Sequence, residues 1–247
     1  GFSPLLFLYS NQLYPGIFAV AGALAVLVVL TGPVRKGCAK VFLSSLVVIA
    51  LPMLHPRLLP LAGFLGVGIV LRIRSTPHPL FVAKGVAAMA AIGLAGHVLY
   101  HNHYSGDIWG PFKPGNAWEA NVIDFGDLPM ALCGQWLDAK IGLLNNSPIY
   151  VATLVGVVAM VWRRDRLLLL AIGLYVTTAC VNALSIDWRF GYCLPSRFMV
   201  TPLPALLLPM AVTVDRALRG NIPLVFVLIL GGCLGWDGIR EVLSLTE

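Results

Sequence analysis

The chain has 247 residues, of which 58% are hydrophobic and only 11% are charged. A soluble domain carries about 25% charged residues, so the composition excludes an ordinary soluble protein and indicates an integral membrane protein. The net charge of +6 is therefore no sign of a nucleic-acid partner, because in a membrane protein the basic residues report the orientation of the loops.

Apolar segments follow one another along most of the chain. A bilayer core about 30 Å thick needs about 20 apolar residues per helix, and fewer where the helix ends are buried in protein. We therefore predict an all-α integral membrane fold of about eight transmembrane helices, forming a single domain over residues 1–247. The predicted spans are 15–31, 41–55, 58–72, 82–100, 148–162, 167–185, 198–215 and 222–236.

The charges predict the orientation of these spans. If residue 1 lies outside, most of the 17 basic residues fall in inner loops and most of the 11 acidic residues fall in outer loops. The positive-inside rule then supports eight crossings with both termini on the non-cytoplasmic side. We expect a multi-pass protein of the bacterial inner (plasma) membrane.

The N-terminal segment is too polar to cross a bilayer, because Asn11, Gln12 and Tyr14 interrupt it. We interpret it as a re-entrant or surface segment that leads into the first span. The next outer turn contains His55 and Arg57 on either side of a proline. These two side chains suit an anion, and the alternative is a solvated turn that proline keeps short.

No metal or cofactor site is predicted. His101 and His103 lie two residues apart near the end of the fourth span, and such residues point in different directions on a helix. The five cysteines show no CxxC spacing. Cys133 and Cys193 fall in loops on the outer side, where a disulfide between them is one possibility.

The longest polar stretch, 102–147, is predicted to be a non-cytoplasmic loop that carries short surface helices. It contains several carboxylates and three of the chain's tryptophans, Trp109, Trp118 and Trp136. Tryptophans beside carboxylates can grip a sugar, or the same tryptophans can mark the membrane interface. Apolar residues at helical spacing over Leu128–Leu144 predict an amphipathic helix along the membrane surface.

The stretch Ile186–Met210 places polar residues directly before a proline-containing apolar segment. Arg189 and Arg197 are suited to hold a phosphate whose lipid tail lies in the bilayer. The alternative is that such arginines anchor a helix at the interface. Just before this stretch, Asn182 is a lone polar residue in an apolar span, for which we expect a helix-to-helix hydrogen bond.

Four segments together resemble the bacterial polytopic membrane glycosyltransferases of the GT-C superfamily, which are related to protein mannosyltransferases and aminoarabinose transferases. The segments are Pro4–Pro15, Leu51–Pro60, Asp138–Tyr150 and Trp188–Phe198, and their order extends over nearly all of the chain.

The resemblance implies an enzyme of the cell envelope that transfers a sugar, with inversion, from a polyprenyl-phosphate donor at the bilayer to a glycan, lipid or protein acceptor on the non-cytoplasmic face. It implies a catalytic aspartate in the first outer loop, which we expect to precede Gly1, so no catalytic residue is assigned in this chain. Binding of the donor phosphate is assigned to Arg197 first, then to Arg57, Arg189 and His55. Binding of substrate is assigned to Asp187, Trp188, Tyr14, Gln12 and Asn11.

The alternative function is a transporter or flippase for a lipid-linked or anionic solute. Transporters usually place charges within their spans. Here the predicted spans are nearly free of charge, and the polar residues gather in loops on one side. This distribution favours chemistry at the membrane interface over passage through the membrane.

Overall fold

The computed structural model describes residues 15–32, 38–54, 58–106, 126–138, 142–183 and 199–220, together with the single positions 223, 225 and 229. These residues form helices and short turns without any strand, so the predicted all-α class is confirmed for this part of the chain. They belong to two compact units. One unit is Ala21–Ile123, and the other combines Gly1–Val20 with Asp124–Glu247.

The unit Ala21–Ile123 is built around its second helix. Its helices are the C-terminal part of α1 (Pro15–Thr31), α2 (Cys38–Leu54), α3 (Leu59–Ile73) and α4 (Pro79–Ser105). Helix α2 packs along both α3 and α4. Gly85 and Gly93 of α4 allow this approach, because a Cβ atom at these positions would overlap the side chains of Phe42 and Ile49. Small residues of this kind are how apolar helices come close without a polar contact.

Helix α4 is the one described helix that is long and apolar enough to cross a membrane. Its candidate span is Pro79–Tyr100, of 22 residues, and only 6% of the tested window is buried within the protein. Large apolar side chains project from it, among them Phe81, Ile92 and Leu99. The helix then continues to Ser105 and ends at Gly106, whose φ of 66° is the left-handed conformation that glycine adopts without strain.

The prediction of about eight transmembrane helices is wrong for the described residues. The other apolar helices have 10–17 residues. A helix of 17 residues rises only about 25 Å, whereas the hydrocarbon core is about 30 Å thick. The predicted segments coincide with helices, but these helices are shorter than a span. The last predicted span, 222–236, lies almost wholly outside the described residues, and the predicted sidedness of the termini stays a prediction.

The helices of the second unit lie mainly in the C-terminal half of the chain. They are α5 (Leu128–Leu137), α6 (Leu143–Asn146), a 3-10 turn (Pro148–Tyr150), α7 (Val151–Arg163), α8 (Leu167–Tyr175), a π-helical turn (Val176–Cys180), α9 (Val181–Ala183) and α10 (Leu203–Leu218). Short helices are therefore present in the predicted loop 102–147. The single helix predicted over Leu128–Leu144 is wrong, because α5 ends at Leu137 and α6 begins only after Gly142.

The closest helix pair in this unit is α7 with α10. A Cβ atom at Gly156 would overlap the backbone carbonyl of Pro209, so the two backbones touch. Two threonines add hydrogen bonds between the two helices. Thr153 Oγ1 donates to the carbonyl of Leu206 at 3.2 Å, and Thr213 Oγ1 donates to the carbonyl of Ala152 at 2.7 Å. Helix α10 also packs against α8, so α10 is held from two sides.

A tight basic turn joins α7 to α8. Arg164 has φ 52°, in the left-handed region, and closes the C-terminus of α7. Asp165 then accepts a hydrogen bond from the backbone N–H of Leu167 at 2.9 Å, which satisfies a donor at the start of α8. The turn therefore fixes the direction in which α8 leaves α7.

Candidate functional site

Helix α5 lies antiparallel along the C-terminal half of the α8–α9 segment. Ala131 packs against Ala183, where both side chains are buried. One turn later along α5, the side chain of Gln135 reaches the carbonyl of Ala179. Later residues of α5 contact earlier residues of the α8–α9 segment, so the two helices run in opposite directions.

The segment facing α5 is the π-helical turn Val176–Cys180. A π turn interrupts the regular hydrogen-bond ladder of a helix, and such turns are frequent at functional sites. Two threonine hydroxyls supply donors to carbonyls on its N-terminal side. Thr177 Oγ1 donates to Gly173 O at 2.8 Å, and Thr178 Oγ1 donates to Leu174 O at 2.6 Å. Threonine hydroxyls bonded to a carbonyl one turn back often bend a helix, which fits their position at the widened turn.

Gln135 is the most unusual polar group of this region. Its side chain is 2% exposed. Nε2 donates to Ala179 O across a long 3.4 Å, and Oε1 accepts no hydrogen bond from any described residue. Most buried polar atoms have a partner, and leaving one without costs stability. Gln135 therefore carries a buried acceptor that this part of the fold does not use.

Next to Gln135, an aromatic pair joins α5 to α8. Trp136 Nε1 donates to the hydroxyl oxygen of Tyr175 at 2.7 Å, and the two ring centroids lie 6.5 Å apart at an angle of 42°. The Tyr175 hydroxyl accepts this bond and keeps its own proton for a further acceptor. Trp136 is one of the three tryptophans whose role was left open between sugar binding and membrane anchoring, and its indole N–H is engaged within the fold.

A third contact ties α9 to the turn that precedes α10. Asn182 Nδ2 donates to Thr201 Oγ1 at 2.9 Å. Asn182 is 7% exposed. Asn182 does form a side-chain hydrogen bond, but it is not the predicted helix-to-helix bond, because its partner Thr201 lies in the turn before α10. We call Gln135, Asn182 and Thr201 the polar seam.

Every side chain assigned to a site from the sequence lies outside the described residues. This holds for the donor-phosphate residues Arg197, Arg57, Arg189 and His55, and for the substrate residues Asp187, Trp188, Tyr14, Gln12 and Asn11. Their roles and mutual distances stay predictions. The two members of the polar seam nearest to them in sequence, Asn182 and Thr201, flank the segment 184–198, which contains four of these residues.

Two further questions from the sequence have partial answers. Cys133 is exposed and its thiol is free in this structure, so the disulfide to Cys193 that the sequence left open is not formed here. Within the described ranges, no three side chains of His, Cys, Asp or Glu come together in a way that would hold a metal ion.

Sequence reasoning missed Gln135, Tyr175 and Thr201. A signal for Gln135 exists in the sequence, since it is the single amide in the otherwise apolar helix Leu128–Leu137 and lies one turn after the buried Ala131. Such a position points inward on an amphipathic helix. No comparable signal exists for Tyr175 or Thr201, whose roles depend on contacts between distant parts of the chain.

Comparison of the chain with known protein families, with characterised proteins and with solved structures found no match.

Proposed function

We propose that this protein is a membrane glycosyltransferase of the GT-C type that transfers a sugar from a polyprenyl-phosphate donor to an acceptor on the non-cytoplasmic face of a bacterial inner membrane. The observation that carries the proposal is the hydrogen bond between Asn182 and Thr201. It ties together the two chain positions that flank the segment 184–198, and this segment carries Asp187, Arg189 and Arg197.

Two arginines in one short segment suit the chemistry of this reaction. The bond between the sugar's anomeric carbon and the phosphate oxygen breaks, and the same carbon forms a bond to the acceptor oxygen. Negative charge grows on the departing lipid phosphate, and a guanidinium stabilises it through charge-assisted, bidentate hydrogen bonds. The acceptor's proton leaves to a base, which the sequence does not assign.

The polar seam supports a binding site at this position in the fold. On the same segment, Ala179 lies about one turn before Asn182 and contacts the buried amide of Gln135, and Tyr175 lies about one turn further back and pairs with Trp136. An amide that hydrogen-bonds hydroxyls beside aromatic rings is the composition expected of a small-molecule pocket. The candidate span Pro79–Tyr100 supports attachment to the bilayer in which the lipid-linked donor resides.

The test is binding of polyprenyl phosphate by the full chain in detergent. We expect Arg197→Ala to weaken binding about 10-fold or more, because a hydrogen bond to a charged group contributes about 1.5–3 kcal/mol. Arg219→Ala is the matched control, since Arg219 is exposed and pairs with Asp215 on its own helix. It removes the same charge and should leave binding unchanged.

Two results would contradict the proposal. If Arg197→Ala and Arg219→Ala bind the lipid equally well, Arg197 does not hold the phosphate. If vesicles containing the chain take up an anionic solute and bind no polyprenyl-phosphate sugar, the protein is a transporter.

A further inference from the structure

We infer that one end of the unit Ala21–Ile123 binds the phosphate head groups of anionic phospholipids. This basic end is the surface where helices α2, α3 and α4 bring together Lys40, Arg72, Arg74 and Lys84. The inference uses no residue of the segment 184–198, so it stands or falls independently of the proposed function.

The two lysines lie beside a contact between α2 and α4. The rings of Phe42 and Phe81 meet edge to face with their centroids 6.2 Å apart, and a Cβ atom at Gly85 would overlap the ring of Phe42. Lys40 precedes Phe42 by two residues, and Lys84 directly precedes Gly85. The contact therefore places both lysines near the N-terminal ends of two packed helices, where both side chains are exposed.

The two arginines reach the same end of the unit through the C-terminus of α3. Arg72 lies in the last turn of α3 and donates from Nη2 to the backbone carbonyl of Gly32, which directly follows α1. Arg74 is exposed and begins the turn that leads into α4. In this turn Thr76 is buried, and its Oγ1 donates to Ile73 O at 2.7 Å. The turn therefore holds Arg74 next to the start of α4.

No carboxylate offsets this charge among the described residues of the unit. The first acidic residue of the chain is Asp107, which comes after the opposite end of α4. Lys40 also lies in the first turn of α2, where the helix dipole disfavours a cation. Cations that have no carboxylate partner repel one another. The arrangement therefore suits an anion supplied from outside the unit.

The start of α4 favours an anionic lipid over an acidic protein as the source of this anion. The candidate span begins at Pro79, so in a bilayer this end of α4 lies at the level of the lipid phosphates. Leu80 and Phe81 are 77% and 69% exposed there. Acyl chains would cover these apolar side chains, whereas an acidic protein surface would not. Helix side chains tilt toward the N-terminus, so Lys84 extends from within the span toward the phosphates.

The test measures lipid binding to the full chain in detergent by native mass spectrometry. The probes are phosphatidylglycerol, which is anionic, and phosphatidylcholine with the same acyl chains, which is zwitterionic. The wild type should bind phosphatidylglycerol more tightly. The test variant combines Lys40→Gln, Arg74→Gln and Lys84→Gln. We expect it to weaken phosphatidylglycerol binding on the order of 100-fold, since each basic residue near an anionic lipid surface contributes about 5-fold. Binding of phosphatidylcholine should stay unchanged.

Two control variants separate the charge of the basic end from its fold and from the net charge of the chain. The first keeps the three charges by combining Lys40→Arg, Arg74→Lys and Lys84→Arg. The second removes three charges from the other unit by combining Arg163→Gln, Arg166→Gln and Arg219→Gln. Both should bind phosphatidylglycerol as the wild type does. All the substituted side chains are exposed, so every variant should keep the melting temperature of the wild type.

Three results would overturn the inference. If the wild type binds the two lipids equally well, the basic end does not recognise an anionic lipid, and an acidic protein becomes the candidate partner. If the variant without the three charges binds phosphatidylglycerol normally, the anionic lipid binds elsewhere. If either control variant loses as much binding as the test variant, binding follows the fold or the net charge rather than the charge of the basic end.

Discussion

The contact between α7 and α10 predicts a large effect for the smallest possible substitution, Gly156→Ala. Gly156 lies at the point where the two helices touch, and the atoms that an added methyl group would meet belong to the backbone of Pro209. A flexible side chain could rotate away from the methyl group. A helix backbone can only shift as a whole, so α10 would have to move away from α7.

The magnitude follows from opposing contributions. Replacing glycine by alanine within a helix favours the folded state by about 0.5–1 kcal/mol when space is available. Overpacking of a tight contact costs about 1–3 kcal/mol. Movement of α10 would also stretch the bonds Thr153–Leu206 and Thr213–Ala152, each contributing about 1 kcal/mol. We expect a net loss of about 2–4 kcal/mol in the free energy of unfolding.

The assay is unfolding by denaturant in detergent, followed by circular dichroism. Gly96→Ala and Gly63→Ala are the matched controls, because both glycines are in helices and a Cβ atom there would meet no atom within 4 Å. These variants should be as stable as the wild type or slightly more stable. If Gly156→Ala has the same free energy of unfolding as the two control variants, the close approach of α7 and α10 is wrong.

Two further substitutions test the turn between α7 and α8 and the candidate membrane span. Arg164→Gly should raise the free energy of unfolding by about 1 kcal/mol, since a side chain in the left-handed conformation costs about 1–2 kcal/mol that glycine avoids. An unchanged or lower free energy in denaturant unfolding would contradict the left-handed conformation of Arg164. Ile92→Arg, at a position 72% exposed near the middle of Pro79–Tyr100, should raise the apparent free energy of insertion by about 2.5–3.5 kcal/mol in a translocon-insertion assay, with Ile92→Leu as control. Equal insertion of both variants would show that α4 does not enter the bilayer.

The apolar pattern located most helices but not their relation to the membrane. The first predicted span has the same bounds as α1, and the span 167–185 corresponds closely to α8 and α9 together with the π turn between them. Hydropathy reports that a segment avoids water, and it does not say whether lipid or protein covers it. Only helix length separates these cases, and among the described helices only α4 has the length of a span.

The position of prolines predicts the start of α10 better than hydropathy does. The predicted span from 198 begins too early, because α10 starts at Leu203, after Pro202 and before Pro204. Proline is favoured in the first turn of a helix, where its missing N–H has no partner to lose. The same rule, applied to the sequence, would have placed this boundary correctly.

The polar seam could be predicted only in part. Asn182 is visible as a lone amide in an apolar segment, and its hydrogen bond was expected. Its partner Thr201 was not predictable, because the pairing depends on how α9 and α10 pack. The π turn has no established sequence signature, although two adjacent threonines that can bond their own helix backbone occur at its centre.

A series of contacts connects the closely packed helices α7 and α10 with the buried polar side chains of this unit. The backbone contact at Gly156 and the two threonine bonds hold α10 against α7, and α10 in turn fixes the turn that carries Thr201. Thr201 then holds Asn182 at the C-terminal end of the segment on which α5 and Gln135 rest. Rigid support of this kind is what a binding group requires if it is to keep its orientation without a ligand. The contacts therefore run from the α7–α10 pair through Thr201 and Asn182 to the segment on which α5 rests.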